Sequence, residues 1–209
     1  MYTIKEIFKT LQGEGANSGR AAVFCRFSGC NLWSGREQDR DRAECRFCDT
    51  DFTGTDGAGG GRFGDPQDLA DAIAAAWGEG RERRFVVFTG GEPLLQLDAP
   101  LIAACHARGF EVAIETNGTR TPPPGIDWVC VSPKTAASWT HREGHELKLV
   151  FPHPELDPAG LTALPFGHFI LQPLDGPERA ANTAAAAAYC LTHPGWRLGL
   201  QTHKLIGLP

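Results

Sequence analysis

The chain has 209 residues, 42% of them hydrophobic, and a formal net charge of −5. This composition suits one domain with a hydrophobic core over residues 1–209, and it argues against a nucleic-acid binder, which would carry a basic surface. The N-terminal residues lack the apolar core of a signal peptide, and no apolar run approaches the roughly 18 residues of a membrane span. Seven cysteines are too few for a disulfide scaffold, so we expect free thiols and a cytoplasmic protein without a membrane partner.

Short β-rich runs recur along the whole chain. Several are continuously apolar, which is typical of strands buried on both faces of a parallel sheet. Each ends in glycine, proline or polar residues that favour turns. The predicted strands are residues 21–29, 84–91, 111–118, 127–133, 145–151, 168–173 and 196–203.

Three segments between these strands favour helices. Asp65 and Pro66 supply an N-cap and a first-turn proline for the first helix. The second helix should end at Gly109, and the third is the alanine-rich stretch 178–193. The glycine-rich residues 54–64 are expected to form a surface loop. Since a complete eight-fold barrel needs about 250 residues, we predict an α/β fold: a partial, open parallel β/α barrel of about six strands with a reduced number of helices.

Polar and glycine-containing sequences follow one predicted strand after another. They read FSGC, FTGGEP, IETNG, VSPK, LQP and QTHK in chain order. In parallel barrels, the carboxyl ends of the strands carry the chemistry. We therefore expect these sequences to surround a ligand.

Three cysteines suggest a metal centre in this region. Cys45 and Cys48 form a Cys-x2-Cys pair, and Cys30 lies fourteen residues before it. A structural zinc site is closed by four protein ligands, whereas a [4Fe–4S] cluster held by three thiolates leaves one iron open. The incomplete set of ligands favours a catalytic cluster.

A zinc site with four thiolates, completed by Cys25, is the main alternative. Cys25 lies in the apolar run AAVFCRF, and a strand does not readily bring it and Cys30 around one ion. We favour the three-cysteine cluster for this reason. The remaining cysteines are expected to be core residues: Cys25, Cys105, Cys130 and Cys190.

The glycine-rich TGGEP at 89–93 resembles the motif with which radical S-adenosylmethionine enzymes hold the methionyl amino group. The usual cysteine motif of that superfamily is Cys-x3-Cys-x2-Cys, and this chain departs from it by its long first gap. With that gap, the chain resembles the 7-carboxy-7-deazaguanine synthase family over essentially its whole length. The other motifs that carry the resemblance are TLQGEG (10–15), FCRFSGCNLW (24–33), CDTD (48–51), ETNG (115–118), SPK (132–134), QP (172–173) and QTHK (201–204).

The resemblance implies a reaction and its cofactors. A reduced [4Fe–4S] cluster would donate an electron to S-adenosyl-L-methionine, and the resulting 5′-deoxyadenosyl radical would take a hydrogen from 6-carboxy-5,6,7,8-tetrahydropterin. Ring contraction with loss of ammonia would then give 7-carboxy-7-deazaguanine, a step towards queuosine. The resemblance also implies Mg²⁺, a homodimer and a flavodoxin-type electron donor.

Residue roles follow from the resemblance, position by position. Thr50 would bind Mg²⁺, and Glu92 would contact the S-adenosylmethionine ammonium or carry an adjacent structural hydrogen bond. Contacts to S-adenosylmethionine are implied for Phe47, Asp49, Gly91, Glu92, Ser132, Pro133, Lys134, Gln172, Pro173, Leu174 and Asp175.

The substrate is a planar heterocycle with a carboxylate, which Arg26 can pair with in a bidentate manner unless it forms a structural ion pair. The implied substrate residues are Leu11, Gln12, Gly13, Glu14, Arg26, Thr89, His203 and the carboxylate of Pro209. Two other functions stay open on the residues alone. One is an activase that installs a glycyl radical on a partner protein, and the other is a non-enzymatic zinc-binding module.

Overall fold

The computed structural model describes all 209 residues, and one nine-stranded sheet runs through the chain. The strands are β1 (Tyr2–Leu11), β2 (Ala21–Phe27), β3 (Gly61–Phe63), β4 (Phe85–Gly90), β5 (Glu111–Thr116), β6 (Trp128–Val131), β7 (Gly144–Phe151), β8 (Phe166–Pro173) and β9 (Arg197–Leu198). Their order in the sheet is β3-β1-β2-β4-β5-β6-β7-β8-β9. β1 is antiparallel to β2 and β3, and all the other pairs are parallel. The predicted open barrel of about six parallel strands is confirmed by β2 and β4 to β8.

The three predicted helices are also confirmed. The helices are α1 (Pro66–Trp77), α2 (Ala99–Ala107), α3 (Arg179–Thr192) and the short α4 (Thr202–Ile206). Asp65 caps α1 as predicted, since its Oδ1 accepts a hydrogen bond of 2.7 Å from the Gln67 amide. Gly109 follows α2 with a φ of +78°, a conformation that glycine adopts without strain. None of the helices has the length and apolarity that crossing a membrane requires.

The two faces of the parallel strands have different roles. One face packs against α1 and α2 and includes Cys25, Phe27 and Phe88, all of them fully buried. Burying such a side chain contributes roughly 1.5–3 kcal/mol. On the other face, Arg26 of β2 lies beside Thr89 of β4 at the carboxyl ends of the strands. The sheet therefore separates the main core from the surface that carries polar groups.

The cysteine predictions are confirmed for three of the four expected core thiols. Cys25, Cys105 and Cys130 are buried. Cys190 is only partly buried, because it lies on α3 at the margin of the core.

The sequence prediction was wrong for three of the strands, β1, β3 and β9. β1 was missed, because its charged residues obscure a strand that keeps one face partly open. β3 lies within the glycine-rich segment that was expected to be a loop. The predicted strand 196–203 pairs with β8 only at Arg197 and Leu198, because the chain then leaves the sheet and forms α4.

Candidate active site

A cavity of about 440 Å³ opens at the polar face of the sheet. It is lined by residues from the two antiparallel strands, from the loop that carries the cysteines, from the ends of the parallel strands and from the C-terminal segment. Every predicted site residue contributes to its wall except Glu92 and Pro133. The structure therefore brings together residues that are up to 198 positions apart, from Leu11 to Pro209.

The three predicted ligand cysteines line one part of this cavity. Cys30 follows β2, and its sulfur accepts a hydrogen bond of 3.4 Å from the Leu32 amide. The Cys45 thiol donates to the sulfur of Cys48, which lowers the pKa of Cys48 to about 6 and raises that of Cys45. Lys134 adds a positive charge near both of them. Burial raises the pKa of Cys30, so Cys48 is the one thiol of the three whose thiolate is favoured in the free protein. The feature that fits a cluster site is the presence of three cysteines on one cavity wall.

The zinc alternative finds no support in the geometry. No group of three or more His, Cys, Asp or Glu side chains, the three cysteines included, is placed to hold a single metal ion. Cys25 is fully buried in the core and is absent from the cavity wall, so it cannot complete a zinc site there. A four-iron cluster is larger than one ion, so its three thiolates lie further apart.

Glycines in the TGGEP motif let two loops pack closely. A side chain at Gly90 would collide with the backbone of Phe27, and one at Gly91 would collide with the Gly29 carbonyl and lie 2.8 Å from the Cys30 Cβ. Gly90 also has a φ of +134°. The motif therefore holds the end of β4 directly against the first cysteine.

Glu92 lies behind the cavity wall rather than on it. It is fully buried, and its two oxygens accept hydrogen bonds from the Thr116 hydroxyl at 2.7 Å and from the amides of Leu94 and Asn117 at 3.0 and 2.8 Å. Burial is the largest influence on its pKa, which is raised. Of the two expected roles, the geometry corresponds to the structural hydrogen bond.

The aromatic residue between the paired cysteines is held by a cation and a histidine. The Phe47 ring lies 5.9 Å from the Lys134 ammonium and packs edge-on against His153 at 5.7 Å. Lys134 also donates to the Ser132 hydroxyl at 2.8 Å. These contacts place the SPK motif after β6 next to the cysteine loop.

One buried amide oxygen of the cavity has no partner. Gln172 Oε1 accepts no hydrogen bond from the protein, although the residue is buried and lines the wall. Such a group is costly unless a ligand or water satisfies it. Pro173, Leu174 and Asp175 follow it around the same wall. The unpaired oxygen fits a site that binds a hydrogen-bond donor.

Only one nitrogen of the Arg26 guanidinium pairs with a protein carboxylate. Its Nε donates to Glu6 Oε1 at 2.8 Å, and its side chain is largely buried. Its two terminal amino groups donate to no protein acceptor, and the residue lines the cavity. The expected structural ion pair is thus present, while capacity remains for an anionic ligand.

A buried polar network lies in the cavity between Gln12 and Gln201. Lys148 Nζ donates to Glu14 at 2.6 Å and to Glu115 at 2.8 Å, Gln12 donates to Glu115 at 3.2 Å, and Gln201 donates to Glu14 at 2.8 Å. Burial alone would lower the pKa of Lys148, but the two carboxylates raise it well above its usual value. The network therefore offers fixed charges and amide groups to a polar heterocycle.

The sequence prediction missed Lys148, Glu115 and Gln201 as site residues. Glu115 and Gln201 lie within the ETNG and QTHK motifs, so their positions were marked but their roles were not. The signal for Lys148 was a charge in the middle of the predicted strand 145–151, where no motif marked it.

The C-terminal residues pack against the loop after β1. A side chain at Gly13 would collide with the His203 ring, so a larger residue here would displace His203. The Thr10 hydroxyl donates to a Pro209 oxygen at 3.1 Å. His203 and Pro209 both line the cavity, but His203 lies on α4 rather than at the end of a strand.

The long segment between the first two cysteines contains one short 3-10 helix, Glu37–Arg42. Arg40 donates through Nη1 to the carbonyls of Arg46 and Cys48 at 2.9 and 3.1 Å, and it stacks 4.2 Å above the Trp33 ring. Arg40 therefore ties this segment to the loop of the second and third cysteines. The sequence alone assigned it no role.

Comparisons with known proteins agree with this fold. Residues 41–131, which include Cys45 and Cys48, match the Radical SAM superfamily, and the full-length relatives below support the same class, a radical S-adenosylmethionine protein. Synthases of 7-carboxy-7-deazaguanine from Bordetella pertussis and Caulobacter vibrioides are 67% and 63% identical, each over 100% of this chain and 99% of the relative. The chain belongs to the 7-carboxy-7-deazaguanine synthase family. The crystal structure of QueE from Escherichia coli superposes with a TM-score of 0.67 at 26% identity, covering 97% of this chain and 94% of that one.

Proposed function

We propose that this protein converts 6-carboxy-5,6,7,8-tetrahydropterin into 7-carboxy-7-deazaguanine, with loss of ammonia, in queuosine and 7-deazapurine biosynthesis. The observation that carries the proposal is one cavity lined both by three cysteine thiols and by groups that suit a carboxylated heterocycle. Family membership implies a [4Fe–4S] cluster and S-adenosylmethionine as cofactors. When bound, these two groups supply the radical that starts the ring contraction.

Cys30, Cys45 and Cys48 are the residues that would hold the cluster. The hydrogen bond from Cys45 and the charge of Lys134 favour the thiolate form of Cys48. The unpaired Gln172 Oε1 would accept a hydrogen bond from S-adenosylmethionine. The remaining contacts proposed for this cofactor are Phe47, Asp49, Gly91, Ser132, Pro133, Lys134, Pro173, Leu174 and Asp175.

Arg26 would bind the substrate carboxylate through its free terminal amino groups. Gln12, Glu14 and His203 would orient the amino-pyrimidine ring, with Lys148 fixing Glu14 in place. Leu11, Gly13, Thr89 and Pro209 complete the proposed substrate wall. Together these groups would orient the substrate ring within the cavity.

Thr50 is proposed to bind Mg²⁺ together with the substrate. Its hydroxyl makes no hydrogen bond to the protein, and it lies two residues after Cys48 on the cavity wall. Magnesium commonly keeps waters and takes only one or two protein ligands beside its substrate.

The proposal also includes a homodimer, a flavodoxin-type electron donor and a cytoplasmic location. It further includes a single domain over residues 1–209, which the continuous sheet supports.

Replacing Arg26 with glutamine tests the substrate assignment. The Arg26→Gln variant should lower kcat/KM for the carboxylated pterin roughly 10- to 100-fold, since a hydrogen bond to a charged group contributes about 1.5–3 kcal/mol. Arg20→Gln is the matched control, because Arg20 pairs with Glu111 outside the cavity. Equal kinetics of Arg26→Gln and wild type would contradict the assignment. A loss confined to pterin turnover also counts against the activase alternative, which would act on a partner protein.

A further inference from the structure

The segment after β9 closes the open side of the sheet. The Gly199 amide donates to the Leu171 carbonyl on β8 at 2.8 Å, and the Thr202 amide donates to the Gly13 carbonyl at 2.9 Å. Since β8 and the loop after β1 lie towards opposite ends of the strand order, residues 199–209 connect the two sides of the barrel. We call these residues the C-terminal strap.

Lys204 joins this strap to two loops on the cofactor side. Its ammonium lies 2.8 Å from Asp49 Oδ2 and 2.6 Å from Asp175 Oδ2, and 30% of its side chain is exposed. Asp49 directly follows the third cysteine, and Asp175 follows β8. One cation therefore connects two loops that no backbone pairing joins.

Gln201 extends the connection to the substrate side. Its amide group donates to Glu14 Oε1 at 2.8 Å and to Asp49 Oδ2 at 3.3 Å. Glu14 is fixed in turn by the buried Lys148. Asp49 thus accepts from both Lys204 and Gln201, and the strap is where the proposed cofactor loops meet the proposed substrate loop.

We propose that Lys204 is a positioning residue that fastens the C-terminal strap to both proposed S-adenosylmethionine loops, and so couples substrate binding to an ordered cofactor side. The inference rests on the proposed function. His203 and Pro209 lie on the same strap and line the cavity, so a loose strap displaces them from the substrate. Lys204 also lines the cavity, where its ammonium contacts carboxylates of the protein.

The test compares Lys204→Gln with Arg179→Gln. Arg179 Nη1 lies 3.9 Å from Asp175 and is largely exposed, so its loss removes one charge beside the same carboxylate and leaves the bridge to Asp49 intact. Amide hydrogen exchange of residues 200–209 in the cofactor-free protein should accelerate about tenfold in Lys204→Gln, the effect of losing about 1.4 kcal/mol. Arg179→Gln and Lys204→Arg should both keep exchange close to that of the wild type.

Kinetics of the reconstituted enzyme give the second readout. Lys204→Gln should raise KM for the pterin about tenfold, change kcat less than about threefold, and release more 5′-deoxyadenosine per product formed. Unchanged exchange and KM in Lys204→Gln, or the same changes in Arg179→Gln, would overturn the inference. Failure of the wild type to form product would refute the proposed function instead, and the exchange comparison would still test the strap.

Discussion

Lys148 is the buried cation that holds two carboxylates of the cavity wall, Glu14 and Glu115. It has 8% of its side chain exposed and lies between Glu14 and Glu115. A buried ion pair gives little net stability against an apolar replacement of the whole group, yet removing one partner leaves uncompensated charge. Lys148 is therefore critical for the two carboxylates, whatever its net contribution to the fold.

Replacing Lys148 with methionine should strongly destabilise the protein. We expect the free energy of unfolding to fall by about 3–5 kcal/mol at neutral pH, because two buried carboxylates lose their cation. Urea denaturation of the cofactor-free protein measures this change. Arg179→Met, on the exposed pair with Asp175, should cost only about 0–1 kcal/mol. Similar losses of unfolding free energy in both variants would show that Lys148 does not stabilise the two buried carboxylates.

The sequence could predict most of the residues on the cavity wall, but not Lys148. Motifs at the ends of strands marked Arg26, Thr89 and Gln172, whose neighbours are turn residues. Lys148 lies inside β7, a predicted strand in which no motif marked a site residue. Leu147 and Leu149 face the core, whereas Lys148 and Val150 line the cavity, so the sequence pattern alone does not show that Lys148 meets a ligand space.

At the scale of elements, the segment between the first two cysteines is held by one guanidinium. Arg40 bonds two carbonyls of the cysteine loop and covers Trp33. The length of this segment was evident in the sequence, but its tether was not. A single arginine among several charged residues gives no signal of the carbonyls that it meets.

The Arg40→Ala variant should loosen the cysteine loop. Trypsin should cut the cofactor-free variant after Arg46 roughly fivefold faster than the wild type, since the loss of even one net hydrogen bond shifts an opening equilibrium by about that factor. The reconstituted variant should also lose iron to a chelator faster. Arg36→Ala is the matched control, because this exposed neighbour makes no side-chain hydrogen bond. Equal rates of cleavage in the two variants would assign the loop's order to other contacts.

The missed and shortened strands have a common physical cause. β1 and β3 are the antiparallel strands at one end of the sheet, and β9 is the short strand at the other end. β3 and β9 are short and each pairs with only one strand, and β1 pairs with two strands but carries charged residues among its apolar ones, so all three have weaker apolar patterns than β4 or β5. The interior strands were predictable because they are buried on both faces.

For the whole molecule, the open barrel depends on loops and the C-terminal strap to enclose its ligand space. The parallel strands and three helices could be predicted from apolar runs and capping residues. The resemblance implied that His203 and Pro209 reach the substrate. It did not imply the long-range contacts that hold them there, such as Gly13 against His203 and Lys204 against Asp49. These contacts unite the thiol side and the polar side in one cavity, which is the basis of the proposed function.

Anaerobic reconstitution of the wild type, Cys30→Ser and Cys25→Ala proteins tests this account most directly. Iron, sulfide and 7-carboxy-7-deazaguanine are measured in each after incubation with reductant, S-adenosylmethionine, Mg²⁺ and the carboxylated tetrahydropterin. We predict about four irons and four sulfides per chain with product in the wild type and in Cys25→Ala, and neither an intact cluster nor product in Cys30→Ser. Stoichiometric zinc without sulfide, or an intact cluster in the wild type that yields no product, would contradict the account.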